Sequence, residues 1–566
     1  MVKYKSGFSE SLSSRLVYLV RKHTNSRSRR ILLANTLCLI LFTFAFLFAH
    51  HKTPELQQLQ SNIQSAPSNV YYISKRALCS RSIAYDKLAI EPIAVSKLIL
   101  RPVVRTGKIE NYDDRLEVLE DAMINDVVFL DRNVTGVDAE LSANVCPLHT
   151  VSILPSQKPT RYSASSILFG VAMSVDEIPK SLAHWRFWAR NFEAAFYVLL
   201  PSTDYYRVKE AEEIFRSTLG VKTKVEAAHD TDDPAKLMVM LVERMKNAAP
   251  LDVRWFMLLN AGTFVTSLDD VLLALEPHDS MQALYMGAVT ESKGQRDQYG
   301  VLAYGGAGIV LSRPLVDSIS TKRKSNNTAL LISVNQCLEL QDTPYGDGLL
   351  STCINRFTNA ELTILPTFHQ TDLVEDISGL LQGPLEFATL WNISPDANVL
   401  FPKWHPVGPE SPNPSTYADE LELFHLSRRI LGSQNWGIRY RFGNSGRYVL
   451  TNGYSITEFL RPPYPTNFDI RNGVEGTFWN DNDVEEFTFH VSHGKGGGIK
   501  EVPMRHGLRE ADDKRTYYLR AIEMRDTQAS PGRRQKSNQN RKEAAVFIYT
   551  NEWGSVRRGI EVVWLL

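Results

Sequence analysis

Asp347 stands in Tyr345-Gly-Asp-Gly348, where flanking glycines let another molecule come close to its carboxylate. A carboxylate so placed suits the removal of a proton from a hydroxyl group, although Gly-Asp-Gly is also ordinary turn chemistry. Upstream, the apolar run Trp255 to Leu259 reads as a buried strand that ends in Asn260-Ala261-Gly262. A divalent cation beside two phosphates needs hard oxygen ligands at such a strand end. This one offers an amide, a methyl group and a hydrogen. Ser267 then opens a helix, with Asp270 three residues on in a capping pattern; capping and the helix dipole account for Asp269 and Asp270 better than metal binding does. Between the two sites lies Tyr304-Gly-Gly-Ala-Gly-Ile-Val-Leu-Ser-Arg-Pro314, glycine-rich enough for close backbone approach or for a tight strand-entry turn. His369, in Phe368-His-Gln-Thr-Asp372, is an imidazole that suits either a transition metal or a satisfied place in a core.

Taken in order with Tyr285-Met-Gly-Ala288, these segments resemble the fringe-like branch of the β-1,3-glycosyltransferases, most closely its fungal members in glycosyltransferase family 31. The resemblance runs from about Ser166 to Trp391, under half of the chain. It implies a GT-A-like nucleotide-sugar-binding domain and an inverting transfer from a nucleotide-sugar donor, a UDP-sugar, to a glycan or glycoprotein acceptor. It puts Asp347 at the place of the catalytic base and His369 at that of a metal-ligating histidine. Asn260, Gly262, Gly305, Gly306, Ala307 and Gly308 fall where donor and acceptor bind. Mn²⁺ is the cofactor the resemblance implies, yet every position of the family's Asp-x-Asp triplet is replaced, by Asn260, Ala261 and Gly262. The His-His-Trp of fungal relatives stands here as Thr389-Leu390-Trp391. A neutral ligand holds Mn²⁺ far less tightly than a carboxylate. Transfer without a metal is compatible with these departures, since Arg or Lys can neutralise a diphosphate; Arg254 and Arg313 are nearby in sequence, with nothing assigning them that role. So is a catalytically inactive relative that binds glycans or a partner transferase.

The elements that must position these residues are legible from Ser166 onward. Strands are expected at 167–172, 194–200 and 221–227, with helices at 178–191 and 206–219 between them. Asp233-Pro234 starts a further helix carrying Leu237, Met238, Leu241 and Met245 on one face. Strands alternating with helices at this spacing imply βαβ units and a largely parallel sheet, whose ligands sit at the carboxyl ends of the strands. Asn260 to Gly262 occupies such an end. After Trp391 the composition shifts to a proline-rich linker, a short helix at 417–431 and turn-rich segments with short strands at 437–442, 447–450, 485–491, 515–522, 544–549 and 559–565. The expected class is therefore α/β, with a smaller, mostly β domain at the C-terminus. The expected boundaries are a basic tail at 1–30, a transmembrane anchor at 31–49, a stem at 50–70, a membrane-proximal cap at 71–160, the GT-A-like domain at 161–400, a linker at 401–430 and the β-rich domain at 431–566.

Compartment follows from the N-terminal segment. Ile31 to Ala49 is one apolar run, and roughly 20 such residues span a bilayer as a helix. Eight Lys and Arg residues precede it against the single acid Glu10, which keeps the tail cytosolic and sends the rest of the chain to the lumen. The expectation is a single-pass type II Golgi membrane protein. Of the 5 cysteines, Cys38 lies in the anchor. Cys337 with Cys353 could clip the loop carrying Asp347, and Cys79 with Cys146 could staple the stem to the domain; the other pairings stay open, with free buried thiols as the alternative. Asn133, Asn326 and Asn392 are sequons, in keeping with a secretory route. The chain carries 63 basic and 63 acidic side chains, a balance that gives no sign of nucleic-acid binding, and the basic stretch Ser530 to Lys542 reads as a solvated loop.

Overall fold

A computed structural model describes residues 70–74, 94–104, 116–119, 125–129, 148–190, 195–290, 293–320, 334–340, 345–370, 375–376, 381–382, 386–391, 398–399, 417–443, 446–461, 488–493, 498–503, 514–526, 543–553 and 556–566. The tail, the anchor, most of the stem, the proline-rich linker, Cys79, Cys146, the three sequons and the loop 530–542 lie outside the described residues. Among the described residues no helix is long and apolar enough to cross a membrane.

Five strands come first: β1 (Val70–Ser74), β2 (Ala94–Val104), β3 (Leu116–Leu119), β4 (Asn125–Phe129) and β5 (Leu148–Ile153). The α/β layer then opens with β6 (Ile167–Ala172), α1 (Ile178–Trp185), β7 (Ala195–Leu200), α2 (Val208–Leu219) and β8 (Lys222–Ala227). The helix expected to reach residue 191 closes at Trp185, yet the following turn still drives Trp188 into the core, its ring 5.0 Å from Phe169. Next come α3 (Pro234–Ala248), β9 (Trp255–Leu259), β10 (Thr263–Val265) and α4 (Leu268–Leu275). Asp233 caps α3 by accepting the N–H of Ala235, with Pro234 at the first position, where the missing donor costs nothing. After α4 follow β11 (Tyr285–Gly287), α5 (Lys293–Tyr299), β12 (Ile309–Ser312), α6 (Arg313–Ser320), α7 (Val334–Leu338), α8 (Gly346–Phe357), β13 (Leu362–Ile364) and β14 (Phe368–His369).

Seven of these strands form one sheet in the order β13-β11-β12-β9-β6-β7-β8. It is largely parallel, as expected, with β12 antiparallel to both neighbours. Alternate residues feed two cores. Phe169, Phe196 and Met257 face α1 and α2 beside Trp185 and Phe215, whereas Leu168, Phe256 and Leu258 face α3 and α8 beside Met245 and Leu350. Each such large side chain, fully buried, contributes about 1.5–3 kcal/mol.

The remaining strands are β15 (Glu375–Asp376), β16 (Thr389–Trp391) and β17 (Asn398–Val399), then, after α9 (Tyr417–Leu431), β18 (Arg439–Phe442), β19 (Tyr448–Thr451), β20 (Ser455–Phe459), β21 (Thr488–His493), β22 (Gly498–Pro503), β23 (Lys514–Asp526), β24 (Glu543–Trp553) and β25 (Val556–Leu565). Here the expected boundaries need correction. The cap and the C-terminal β-rich segment share one 11-stranded sheet: β2 runs parallel to β25, β3 parallel to β18 and β1 parallel to β23. The physical reason lies in β2. From Val95 to Leu100 it is a central strand with both faces covered, so it shows no clean alternation there. Its one charged interior residue, Lys97, is neutralised by Glu561 at 2.8 Å. Helix α9 lies at the core of this sheet and also reaches the α/β layer, with Phe424 edge-on to Phe264 at 5.4 Å.

Candidate functional site

The turn after β9 is held from several directions. The N–H of Asn260 donates to Thr263 Oγ1 at 2.8 Å, and the N–H of Thr263 donates to the Asn260 carbonyl at 3.0 Å. From α1, Ser181 Oγ donates to the carbonyl of Ala261 at 3.0 Å, and His184 Nε2 lies 3.3 Å from the same oxygen. A carbonyl can only accept, so His184 carries its proton on Nε2. Burial pushes this imidazole down to about 4, which keeps it neutral at physiological pH. Trp185 Nε1 adds a bond to the Thr263 carbonyl at 3.2 Å.

Asn260, Gly305 and Asp347 converge on one point. A methyl group at Gly305 would sit 3.3 Å from Asn260 Nδ2 and 3.1 Å from Met238 Cε. The N–H of Gly305 donates to Asp347 Oδ2 at 3.1 Å, and that of Gly348 donates to Oδ1 at 2.8 Å. Asp347 lies in the first turn of α8, where the helix dipole favours its charge. It is half-buried. Beside it the exposed rings of Tyr345 and Tyr299 meet at 5.2 Å.

The rest of the glycine block is fastened from β14 and β16. A side chain at Gly306 would overlap the Trp391 ring and the Gln370 side chain. Gln370 Oε1 accepts the N–H of Ala307 at 2.9 Å, and Thr389 Oγ1 donates to the Ala307 carbonyl at 2.6 Å. Gly308, at φ +93°, enters β12 in a conformation open to glycine, and a Cβ there would also come 2.9 Å from Met257 Cε. Gly262 is half-buried in the turn before β10. Sequence reasoning gave no role to Gln370, Trp391 or Tyr345, although each stands inside or beside a segment already singled out.

His369 is 3 % exposed, its Nε2 donates to the Glu386 carbonyl at 3.0 Å, and Phe387 stands edge-on at 5.3 Å. It is thus a core residue with one ring nitrogen bonded to the backbone. Among the described residues no three His, Cys, Asp or Glu side chains converge as a metal site. The donors described here therefore do not fit Mn²⁺, and no chemical step is assigned to it. Arg254 and Arg313 sit at the amino end of β9, away from the triplet; Arg313 Nε donates to the Val253 carbonyl at 2.6 Å. Asp270 does cap α4 with Ser267, but its Oδ2 also takes an ion pair from Arg428 of α9 at 2.7 Å. Cys337 and Cys353 are bonded, joining α7 to α8 across Asp347 with their Cα atoms 5.2 Å apart.

The Fringe-like family model matches residues 201–399, a span holding Asn260, the glycine block and Asp347. Among solved structures, a mannosyltransferase from Pyrobaculum calidifontis in complex with GDP-Man and Mn²⁺ is 10% identical over 37% of this chain, with a TM-score of 0.24. The chain covers 59% of that protein's length. No curated protein matches the chain. The likeness to the Fringe-like family thus covers residues 201–399 of the chain.

Proposed function

We propose that this chain is a single-pass type II Golgi membrane glycosyltransferase. It moves a sugar from a UDP-sugar to a hydroxyl of a glycan or glycoprotein acceptor, with inversion at the anomeric carbon. The observation that carries this reading is the meeting of Asp347 with Gly305 and Asn260 at the carboxyl end of β9. Asp347 accepts the proton of the acceptor hydroxyl while that oxygen bonds to the anomeric carbon. The bond to the diphosphate breaks on the opposite face, and UDP leaves with the electron pair. Two backbone N–H groups hold the carboxylate in place, which lowers the reorganisation the step requires. The Asn260 side chain makes no hydrogen bond among the described residues, so Nδ2 is free to donate to a phosphate oxygen. Tyr345 and Tyr299 offer an apolar face to the acceptor ring. The donor's base and ribose fall to the carboxyl ends of β6 to β8, where Tyr206 is 94% exposed.

A second reading, an inactive relative that binds glycans or a partner transferase, is favoured by the Asn260-Ala261-Gly262 turn, which lacks all three positions of the acidic triplet. Sugar transfer by the full chain, measured over a panel of UDP-sugars and acceptors, separates the two. The enzyme reading expects turnover that falls roughly 10²-fold or more in Asp347→Asn, with thermal stability near that of the parent. A chain that binds UDP but transfers nothing across the panel leaves the second reading standing. Equal turnover in parent and variant moves the base elsewhere.

A further inference from the structure

A cleft of about 710 Å³ opens between α4, the start of β16 and the C-terminal end of α9. None of Asn260, Gly305 or Asp347 lines it. Pockets of roughly 300–1,000 Å³ are the size that takes a small ligand. Its chemistry is specific. Asp270, Glu276 and Glu386 bring three carboxylates against one guanidinium, Arg428, which is already paired to Asp270. That balance disfavours a phosphate or any other anion. Amides at Gln157 and Gln434 also line it, and Leu273, Ala274 and Pro277 supply an accessible apolar wall. Asp270 has spent Oδ2 on Thr266, Ser267 and Arg428, whereas Oδ1 has no hydrogen bond among the described residues. Arg428 is 6% exposed and bonds through Nη2, leaving Nη1 without a partner among the described residues.

The geometry points to a second carbohydrate site in this cleft, for a neutral oligosaccharide. Carboxylates, amides and a guanidinium are planar groups with two polar atoms set to bridge neighbouring hydroxyls. The C–H face of a sugar ring packs on an apolar wall. The wall residue Ala388 directly precedes β16, whose Trp391 covers Gly306. Binding here makes no use of Asp347, so the site stands whether or not the chain transfers sugar.

Calorimetry on the full chain in detergent, with tetrasaccharides of glucose, galactose and mannose as probes and octalysine as a cationic control, tests this. At least one tetrasaccharide should bind with a Kd below about 1 mM. Gln434→Ala should weaken that binding about tenfold, and Ala274→Trp, which fills the cleft, should abolish it. Asp347→Asn should leave it unchanged. Should Ala274→Trp fail to fold, Gln434→Ala with Gln157→Ala carries the same test. No tetrasaccharide binding at about 10 mM overturns the site, as does binding that survives both the Gln434 and Ala274 changes. Octalysine binding more tightly than every sugar overturns it too, by marking the acids as a seat for a basic peptide.

Discussion

Asn260 is where the chemistry of this chain departs from the arrangement its neighbours imply. Its backbone is locked by Thr263, while its side chain makes no hydrogen bond among the described residues. A neutral amide binds a diphosphate as a hydrogen-bond donor, without a cation. UDP affinity should therefore change less than about twofold when divalent metal is removed with EDTA. Asn260→Asp should make that affinity depend on Mn²⁺. Binding tenfold tighter with Mn²⁺ in the parent, about 1.4 kcal/mol, would show other ligands replacing the triplet. The blank was legible in the sequence because it is a matter of residue type. The fate of His369 was not, because the acceptor of its proton, Glu386, is 17 residues away in the chain.

At the scale of elements, α1 and α9 bring two histidines behind the turn that carries Asn260. His184 bonds the Ala261 carbonyl, and His425 stacks on Phe187 at 4.8 Å. Desolvation pushes His184 down to about 4 and His425 to about 3, with Arg428 and Arg429 beside the latter adding to the effect. Both folded values lie below the ordinary 6.5, so the unfolded chain binds more protons. Their contribution to stability is complete above pH 6.5 and is lost as pH falls toward 4. For His184 the loss by pH 5 is about 2 kcal/mol. Denaturant unfolding at pH 7.5 and pH 5 should show it, and His184→Asn should remove about half of the difference, the rest belonging to His425. An equal pH dependence in the variant would place the titration elsewhere. The helices themselves were readable, α9 to the residue, since apolar spacing and caps are local. That α1 ends at Trp185 was not, because Trp188 holds its core position without helical backbone.

For the whole molecule, the pair Asp270–Arg428 ties the α/β layer to the 11-stranded sheet across 158 positions of chain. Both side chains are nearly buried, so removing one strands the other's charge. Arg428→Met should cost about 3 kcal/mol of unfolding free energy, and adding Asp270→Asn should return part of it. Additive losses would mean that the pair does not couple the two parts. The proposed topology belongs to this scale as well. A glycosylation reporter fused to the C-terminus should be modified, and protease on intact microsomes should remove only the N-terminal tail. Digestion of the C-terminal part from outside would overturn the type II orientation.

Residue types and short-range patterns determined a good deal on their own: the parallel strands with their helices, the turn after Leu259, the glycine block and the candidate base at Asp347. These depend on periodicity, capping and side-chain chemistry within a few residues. The tertiary structure alone decided that β2 and β25 lie side by side, that Arg254 and Arg313 stand at the wrong end of β9, and that His369 is a core residue. Pairing between distant strands leaves no local signature when both faces of a strand are covered, and a side chain's partner across the fold is set by packing rather than by spacing.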